Sequence, residues 1–452
     1  MAADPTTIFA LASAPGRAGV AVVRVSGPRA GMALTSLAPD LGALPPPRYA
    51  TRAVLYASES NMERETKERI DDALVLWFPG PASFTGEDVV EFHIHGGHAV
   101  LDSLITSLGA ITGLVPAGPG EFSRRAFENG KMDLTAVEAI ADLVDAETAA
   151  QRRQALAQMG GALARRYDDW RARLVKSMAF AEASIDFAEE DIPDDLARQS
   201  IAALKDLASE IDQHLKDDGI GERIRSGFRI TLTGAPNVGK SSLLNALAKR
   251  DVAIVSDIAG TTRDVIEVPM DLGGYAATLV DTAGLRESDD VIEQEGVRRA
   301  RDQAASADIR LHLIEPGTSG DVPMMDGDAL LVLNKSDVLE ANAAVPDGAL
   351  PVSVKTGAGM TELIERMTTH IQSLAGNQAA ASAPLTRARH RTALEDCRAA
   401  LRRAISNAEA GMDEEMMAED MRVAAQALGR ITGRVDVEEL LDRIFRDFCI
   451  GK

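Results

Sequence analysis

The chain has 452 residues, of which 45% are apolar, and a formal net charge of −21 at pH 7. This length predicts about three domains with sizeable cores, and no apolar run approaches the roughly 20 residues of a membrane span. The acidic balance argues against strong independent binding to nucleic acid, because phosphate contacts require a basic surface. Cys397 and Cys449 are too few for a disulfide framework or a metal cluster, and no secretory signal pattern opens the chain. We therefore predict a soluble cytoplasmic protein with no membrane partner.

An α+β domain is predicted for the first part of the chain. Runs rich in β-branched and aromatic residues predict strands at 20–25, 73–78 and 89–94. Arg24 and Glu91 lie among the apolar residues of two of these strands, so each is expected to be paired or to face a ligand pocket. His93, His95 and His98 have the spacing H-x-H-x-x-H without an accompanying ligand set, so we expect no metal there.

Helices are predicted from Thr135 onward, where Thr135 and Glu138 have capping-box spacing and apolar residues then recur at helical intervals. The same spacing returns after 376–384, so a helical domain is predicted on both sides of an inserted domain. Cys397 falls on one apolar stripe, which predicts core packing for it. Basic clusters in these helices are either solvated faces or RNA contacts. They lie at Arg152-Arg153, Arg165-Arg166, 387–391 and Arg402-Arg403.

A phosphate loop is predicted at Gly234-Ala-Pro-Asn-Val-Gly-Lys-Ser241, between a strand at 228–233 and an apolar-periodic helix. Its glycines let backbone N–H groups surround phosphates, while Lys240 reaches the β/γ oxygens and Ser241 ligates Mg²⁺. Asn237 could coordinate a monovalent cation beside the phosphates or merely brace the loop. The predicted nucleotide contacts in the loop are Asn237, Val238, Gly239, Lys240, Ser241 and Ser242.

Three further nucleotide motifs each follow an apolar run that predicts a strand, at 277–280, 330–333 and 351–354, and another strand is predicted at 309–314. The motifs are Asp281-Thr282-Ala283-Gly284, Asn334-Lys335-Ser336-Asp337 and Ser353-Val354-Lys355. Motifs at the carboxyl ends of strands lie where doubly wound sheets bind ligands. The Asp337 carboxylate can accept both the ring N–H and the exocyclic amine of guanine, and adenine offers no such pair of donors. Together the motifs predict GTP as the nucleotide.

The predicted switch segments depart from those of many small GTPases. In the segment 256–264, Thr262 would ligate Mg²⁺, and carbonyls of Ser256 and Ile258 could complete a cation shell with Asn237. Leu285 stands where many small GTPases have a water-orienting glutamine. In the acidic stretch that follows, Glu293 is the candidate for positioning the water, and the alternative is a solvated charge run that starts a helix.

Several segments carry a resemblance to a known family. They are Pro15-Gly-Arg-Ala-Gly19, Phe84-Thr-Gly-Glu-Asp88, His95-Gly-Gly97, Gly120-Glu-Phe-Ser123, Arg125-Ala-Phe127, Asp257-Ile-Ala-Gly-Thr-Thr-Arg-Asp264, Thr386-Arg-Ala-Arg-His390 and Phe448-Cys-Ile-Gly-Lys452. Over its full length the chain resembles the MnmE (TrmE) family of tRNA-uridine-modifying GTPases. The implied architecture is an α+β tetrahydrofolate-binding and dimerisation domain at 1–120, an all-α domain at 121–224 and 376–452, and an inserted Ras-like α/β P-loop GTPase domain at 225–375.

The resemblance implies a homodimer formed through the N-terminal domain, which binds a tetrahydrofolate derivative in its 5,10-methylene or 5-formyl form. Arg24, Glu91, Lys131 and Lys452 match the family positions that line this site. Cys449 lies on the matching C-terminal tail, and two roles are open for it, a catalytic thiol or a cysteine that merely packs.

For the GTPase domain the resemblance implies a potassium ion bound by Asn237, Ser256, Ile258 and Thr261, with Thr261 also at the nucleotide and Glu293 as the water-activating carboxylate. It further implies a flavoprotein partner of the MnmG type that carries FAD, in a heterotetramer that meets tRNA mainly through the partner. The implied product is an aminomethyl or carboxymethylaminomethyl group on C5 of the wobble uridine. Two alternatives are a regulatory or ribosome-associated GTPase without base chemistry, and a folate-dependent methyltransferase acting alone.

Overall fold

The computed structural model describes residues 6–57, 68–186, 194–217, 219–254, 267–281, 307–317, 329–339, 345–376, 384–410, 414–435, 441, 444–446, 448 and 451. The chain divides into two compact units. One combines Met1–Ala141 with Gly429–Lys452, and the other is Asp142–Leu428. The domain bounds given by the sequence are a different division of the chain and stay a prediction.

The first unit contains a six-stranded sheet. Its strands are β1 (Thr7–Leu11), β2 (Ala18–Ser26), β3 (Thr51–Tyr56), β4 (Arg69–Phe78), β5 (Val89–Gly96) and β6 (Leu114–Pro116). They lie in the order β3-β4-β5-β2-β1-β6 and pair antiparallel, except that β1 and β6 are parallel. The strands predicted at 20–25, 73–78 and 89–94 are confirmed within β2, β4 and β5.

One face of this sheet packs against two helices, α1 (Ala30–Leu37) and α2 (His98–Gly109). Alternate residues of β2, such as Val23 and Val25, enter that core fully buried, as the two-residue period of a strand requires. Arg24 lies between them and therefore points to the opposite face, where Ala10 of β1 is its partner in the ladder. The fold thus presents Arg24 on the face away from α1 and α2.

Two more helices, α3 (Glu121–Glu128) and α4 (Leu134–Val144), follow the sheet. The predicted capping role of Thr135 is wrong, since the helix begins at Leu134 and Asp133 Oδ1 accepts the N–H groups of Thr135 at 2.8 Å and Ala136 at 3.2 Å. Asp133 therefore caps the helix.

The C-terminal residues pack within the same unit as this sheet. Phe445 and Phe448 join Leu134 and Val137 in one apolar cluster. Gly451 has a φ of +98°, and a Cβ there would lie 1.9 Å from the carbonyl oxygen of Leu11. Glycine is therefore required for this approach of the tail to β1.

The second unit contains a doubly wound six-stranded sheet. Its strands are β7 (Phe228–Gly234), β8 (Glu267–Leu272), β9 (Tyr275–Asp281), β10 (Ile309–Ile314), β11 (Ala329–Leu333) and β12 (Leu350–Pro351). The order is β12-β11-β10-β7-β9-β8, and all pairs are parallel except β8 with β9. The predicted strands are found, but most of the one at 351–354 is loop, because the chain turns at Ser353, whose carbonyl accepts from Gly357 N.

Eight helices of the described chain begin after residue 141. They are α5 (Ala149–Met159), α6 (Ala162–Asp186), α7 (Asp194–Leu215), α8 (Ile220–Ser226), α9 (Lys240–Leu247), α10 (Met360–Ala375), α11 (Ala388–Glu409) and α12 (Glu414–Thr432). Helices from before and after the doubly wound sheet pack together, and an ion pair of 2.9 Å joins Asp212 of α7 to Arg402 of α11. This confirms the predicted insertion of the nucleotide domain into a helical one. No helix among the described residues could cross a bilayer.

Cys397 confirms its predicted packing role. Its side chain is fully buried on α11, and burial followed by the charge of Asp396 raises the pKa of the thiol to about 12. The neutral thiol therefore behaves as a small apolar core group.

Candidate functional site

The phosphate loop joins β7 to α9 through a backbone that uses left-handed conformations. Gly234 has a φ of +133° and Gly239 a φ of +100°, and a Cβ on Gly234 would lie 2.3 Å from the Leu313 carbonyl oxygen. Asn237 also has a positive φ, of 64°, which asparagine tolerates better than most residues. Its exposed side chain has no hydrogen-bond partner among the residues that the structure describes. The loop can thus surround an anion with N–H groups while offering an amide oxygen beside it.

Lys240 and Ser241 open helix α9 at the base of this loop. The Lys240 ammonium donates to the carbonyl oxygens of Gly234 at 2.7 Å and Ala235 at 2.9 Å, which holds a buried cation inside the loop. The Ser241 hydroxyl donates to Asp281 Oδ2 at 2.6 Å, at the end of β9. A hydroxyl and a carboxylate are the hard oxygen donors that Mg²⁺ prefers, so this pair fits the predicted metal.

Asn334 links the base-recognition motif to the phosphate loop. Its amide nitrogen donates to the Val238 carbonyl oxygen at 2.8 Å, and a Cβ on Gly239 would lie 2.3 Å from the same nitrogen. The amide oxygen of Asn334 is buried and has no hydrogen-bond partner in the described part of the chain. Buried polar atoms are almost always paired, so this oxygen is a candidate acceptor for a ligand.

Asp337, the residue predicted to recognise the base, is held in place by the last motif. Ser353 Oγ donates to Asp337 Oδ1 at 2.7 Å, and Lys355 Nζ lies 3.8 Å from Oδ2. The hydrogen bond from Ser353 is the main cause that lowers the pKa of Asp337 below its usual value. An ionised, oriented carboxylate fits the two N–H donors of guanine. Val354 lies between Ser353 and Lys355, and Ser242 follows Ser241 in α9.

Polar contacts that the sequence analysis missed also surround this site. Lys335, with a φ of +58°, extends its ammonium to Glu315 at 2.6 Å. His312 Nδ1 lies 3.1 Å from Thr233 Oγ1, beside the strand that enters the phosphate loop. Burial, and then the charge of Lys240, lowers the pKa of His312. The sequence feature that could have identified His312 is its position as a polar residue inside the apolar run 309–314.

Arg24 and Glu91 form an ion pair in the N-terminal sheet. Arg24 Nε and one terminal nitrogen donate to Glu91 Oε1 at 3.1 and 2.9 Å across directly paired positions of β2 and β5. The guanidinium lies 5.1 Å from the ring centre of Phe84 and 5.7 Å from that of Phe122. The expected pairing is therefore confirmed, and the pair lies against two aromatic rings that favour a cation.

Lys131 reaches the same loop as Phe84 but by a different contact. Its ammonium donates to the Pro81 carbonyl oxygen at 2.9 Å, and its side chain runs within 3.3 Å of the Cβ position of Gly86. The structure thus brings Arg24 and Glu91 into contact and places Lys131 on the loop that carries Phe84. The tail at Gly451 meets β1 at Leu11, next to Ala10, the ladder partner of Arg24.

Two histidines of β5 lie beside carboxylates. His95 Nδ1 lies 2.8 Å from Asp71, and His93 Nε2 lies 3.3 Å from Glu91 Oε2. No group of three metal-binding side chains occurs among the residues described.

Several predicted site residues lie outside the described residues, so their assignments stay predictions. They are Ser256, Ile258, Thr261, Thr262, Thr282, Ala283, Gly284, Glu293, Cys449 and Lys452.

Comparisons with known proteins cover nearly the whole chain. Residues 134–449 match the model of the MnmE helical domain, and residues 7–131 match that of the GTP-binding protein TrmE N-terminus. The tRNA modification GTPase MnmE of Parvibaculum lavamentivorans is 52% identical over 449 residues, which are 99% of this chain and 100% of that protein. The protein of that name from Paramagnetospirillum magneticum is 54% identical over 456 residues, 99% of each chain.

A solved structure of an Era variant from Aquifex aeolicus with GDP and aluminium fluoride is 26% identical over 38% of this chain and 66% of that one, with a TM-score of 0.26. The sheet order and the family models define the fold. The extent of the two family models and the identity to full-length relatives show that the chain belongs to the MnmE family of tRNA modification GTPases.

Proposed function

We propose that this tRNA modification GTPase depends on potassium and works with an MnmG-type flavoprotein carrying FAD. The pair would use a tetrahydrofolate one-carbon unit to install an aminomethyl or carboxymethylaminomethyl group at C5 of the tRNA wobble uridine. The observation that carries the potassium part is Asn237, a residue of the phosphate loop whose exposed amide has no hydrogen-bond partner among the described residues. Its amide oxygen is available as a cation ligand.

The residues of the phosphate site have separable tasks in hydrolysis. Lys240 and the loop N–H groups would bind the β/γ oxygens, and Ser241 with Thr262 would hold Mg²⁺, which neutralises charge on the phosphates. Leu285 cannot orient water, so Glu293 is proposed to hold the nucleophilic water and accept its proton. The proposed potassium ligands are Asn237, Ser256, Ile258 and Thr261.

The N-terminal ion pair supports the folate part of the proposal. Glu91 Oε1 receives both bonds from Arg24, while Oε2 has a 3.3 Å contact with His93. Oε2 can accept from the N–H edge of a pterin, and Arg24, Lys131 and Lys452 are suited to the glutamyl carboxylates or the ring carbonyl of the folate. Cys449 is a candidate thiol of the same site.

The assembly part of the proposal is a homodimer through the N-terminal domain, joined to the flavoprotein in a cytoplasmic heterotetramer. A net charge of −21 supports a division of labour in which the partner provides most of the tRNA affinity.

Steady-state GTP hydrolysis in potassium and in sodium, at equal ionic strength, tests the cation role. We expect a large potassium-specific acceleration in the wild type. Asn237→Ala should remove that acceleration while GTP still binds, because the substitution deletes a cation ligand and leaves Lys240 and Ser241 in place.

Asn245→Ala, which removes an amide from helix α9 away from the loop, is the matched control and should keep the acceleration. Equal stimulation of wild type and Asn237→Ala would refute the cation site. Slow GTP hydrolysis at the same rate in potassium and in sodium, in the wild type and in every variant, would favour a regulatory GTPase instead.

A further inference from the structure

Arginines of the helical domain fall into two groups according to their partners. Arginines of the clusters after residue 386 form ion pairs within the protein. Arg387 pairs with Asp142 at 2.7 Å and Arg391 with Asp217 at 2.7 Å. Arg403 likewise pairs with an aspartate, at 2.8 Å. Arginines held in such pairs have little charge left for a polyanion.

Arg152, Arg153 and Arg165 behave differently. All three are exposed, and none pairs with a carboxylate in the part of the chain that the structure describes. Arg165 donates to the Gly160 carbonyl oxygen at 2.5 Å, which folds its side chain over the end of α5. Its other N–H groups are available to a ligand.

Helix α5 has one fixed face and one open face. On the fixed face, Gln151 Nε2 donates to a backbone carbonyl of α8 at 3.1 Å and Gln154 Nε2 to another at 3.0 Å. The opposite face is exposed to solvent. It carries Arg152, Arg153, Leu156 and Met159. Helical periodicity therefore places Arg152 and Arg153 on the side of α5 that is directed away from α8.

We propose that this open face of α5, together with Arg165, contacts the phosphate backbone of tRNA. From Arg152 to Met159 the helix rises about 10 Å, and Arg165 lies over its end, so the three arginines are spread along a surface that can follow a strand of phosphates. Guanidinium groups are well suited to phosphate oxygens. The site is local, because a chain with a net charge of −21 repels RNA wherever its arginines are neutralised by partners.

Helix α5 connects the proposed RNA-binding face to the GTPase domain. Ala150 belongs to the apolar core of the doubly wound sheet, and its N–H donates to the Gly274 carbonyl oxygen at 2.9 Å, in the turn between β8 and β9. One helix would thus touch RNA on one side and the nucleotide domain on the other. The inference rests on the tRNA role within the proposed function and is independent of its potassium and folate parts.

Binding of fluorescently labelled bulk tRNA by the full-length chain, measured by anisotropy at several NaCl concentrations, tests the proposal. In counterion release each phosphate contact contributes roughly fivefold in affinity at about 0.1 M salt. The double variant Arg152→Gln, Arg153→Gln should therefore bind tRNA about 25-fold more weakly. The slope of log K against log[NaCl] should become shallower by about 1.4.

Arg402→Gln with Arg403→Gln is the matched control, since it removes the same charge from arginines that are already paired. Its tRNA affinity should stay within about twofold of wild type, because distant charges are largely screened at this salt. Both variants should unfold close to the wild-type temperature, since exposed arginines and exposed pairs contribute little stability.

An equal loss in both variants would assign the effect to net charge and overturn the proposal. Unchanged affinity in the α5 variant, or no tRNA binding by wild type at about 50 mM salt, would also overturn it. If the α5 variant keeps its tRNA affinity but no longer binds an acidic protein that the wild type binds, the open face would be assigned to that protein instead. Potassium-stimulated GTP hydrolysis of the same variants tests the proposed function separately.

Discussion

Replacing Asp337 with Asn is expected to change the base preference of the nucleotide site from guanine to xanthine. In the native site Ser353 donates to Oδ1 of Asp337 at 2.7 Å, which orients the carboxylate and lowers its pKa below the usual value. An ionised carboxylate only accepts hydrogen bonds, which matches the two N–H donors of guanine.

The size of the effect follows from the bonds that change. A hydrogen bond to a charged group contributes about ten- to a hundredfold in affinity. The Asn variant keeps one acceptor, because Ser353 continues to donate to the oxygen, and the amide NH₂ then opposes the 2-amino group of guanine. Losing one charged bond and opposing a second donor should cost roughly 10²-fold in GTP affinity. Xanthine has a 2-oxo group there and accepts from the amide.

Displacement of a fluorescent guanine nucleotide by GTP and by xanthosine triphosphate measures both affinities. Ser353→Ala is the control, since it keeps the carboxylate and removes only its orienting bond. We expect that variant to lose about fivefold in GTP affinity without gaining any preference for xanthine. An Asp337→Asn protein that still prefers GTP would show that Asp337 does not read the base.

Two other predictions concern hydrolysis and the helical domain. Glu293→Ala should slow single-turnover GTP hydrolysis by about 10²-fold, as expected for loss of a base; Glu287→Ala, in the same acidic stretch, should not, and an unchanged rate in Glu293→Ala would leave Glu293 as a solvated charge. His214 is buried, and burial, then Arg166, lowers its pKa to about 4. Its neutral form thus stabilises the fold above about pH 6.5, and this contribution is lost as the pH falls towards 4. Urea unfolding at about pH 7 and about pH 4.5 should show that the free energy of unfolding falls by about 2 kcal/mol less in His214→Phe than in the wild type. Equal falls in the two proteins would contradict this.

The parallel strands of the nucleotide domain are predictable because buried strands are continuous apolar runs that end at recognisable loops. The run at 309–314 matches β10 residue for residue. In contrast, β6 has three residues and β12 has two, and such short strands are defined by neighbours that the local sequence does not reveal. The cap of α4 is misplaced by the sequence pattern because Asp133 and Thr135 are both good capping residues, and only the first turn of the folded helix distinguishes them.

The candidate site is predictable at the level of motifs, while most of its side-chain pairing is not. Arg24 and Glu91 are expected to pair because a buried charge needs a partner, and adjacent strands supply it. The fate of the basic clusters cannot be inferred in this way. Arg387 finds its carboxylate 245 positions away, at Asp142, so tertiary packing alone decides which arginines are neutralised.

The phosphate loop and the base-recognition loops form one hydrogen-bonded unit. Asn334 fixes the phosphate loop at Val238, Ser336 N donates to the carbonyl oxygen of Val352, and Ser353 then orients Asp337. A change at one of these residues therefore disturbs the contacts of the next. Because residues in one network couple, the losses in GTP affinity from Asn334 and Ser353 substitutions should not add. The residues predicted to bind the base and those predicted to bind the phosphates thus belong to a single hydrogen-bonded structure, although their motifs are far apart in the sequence.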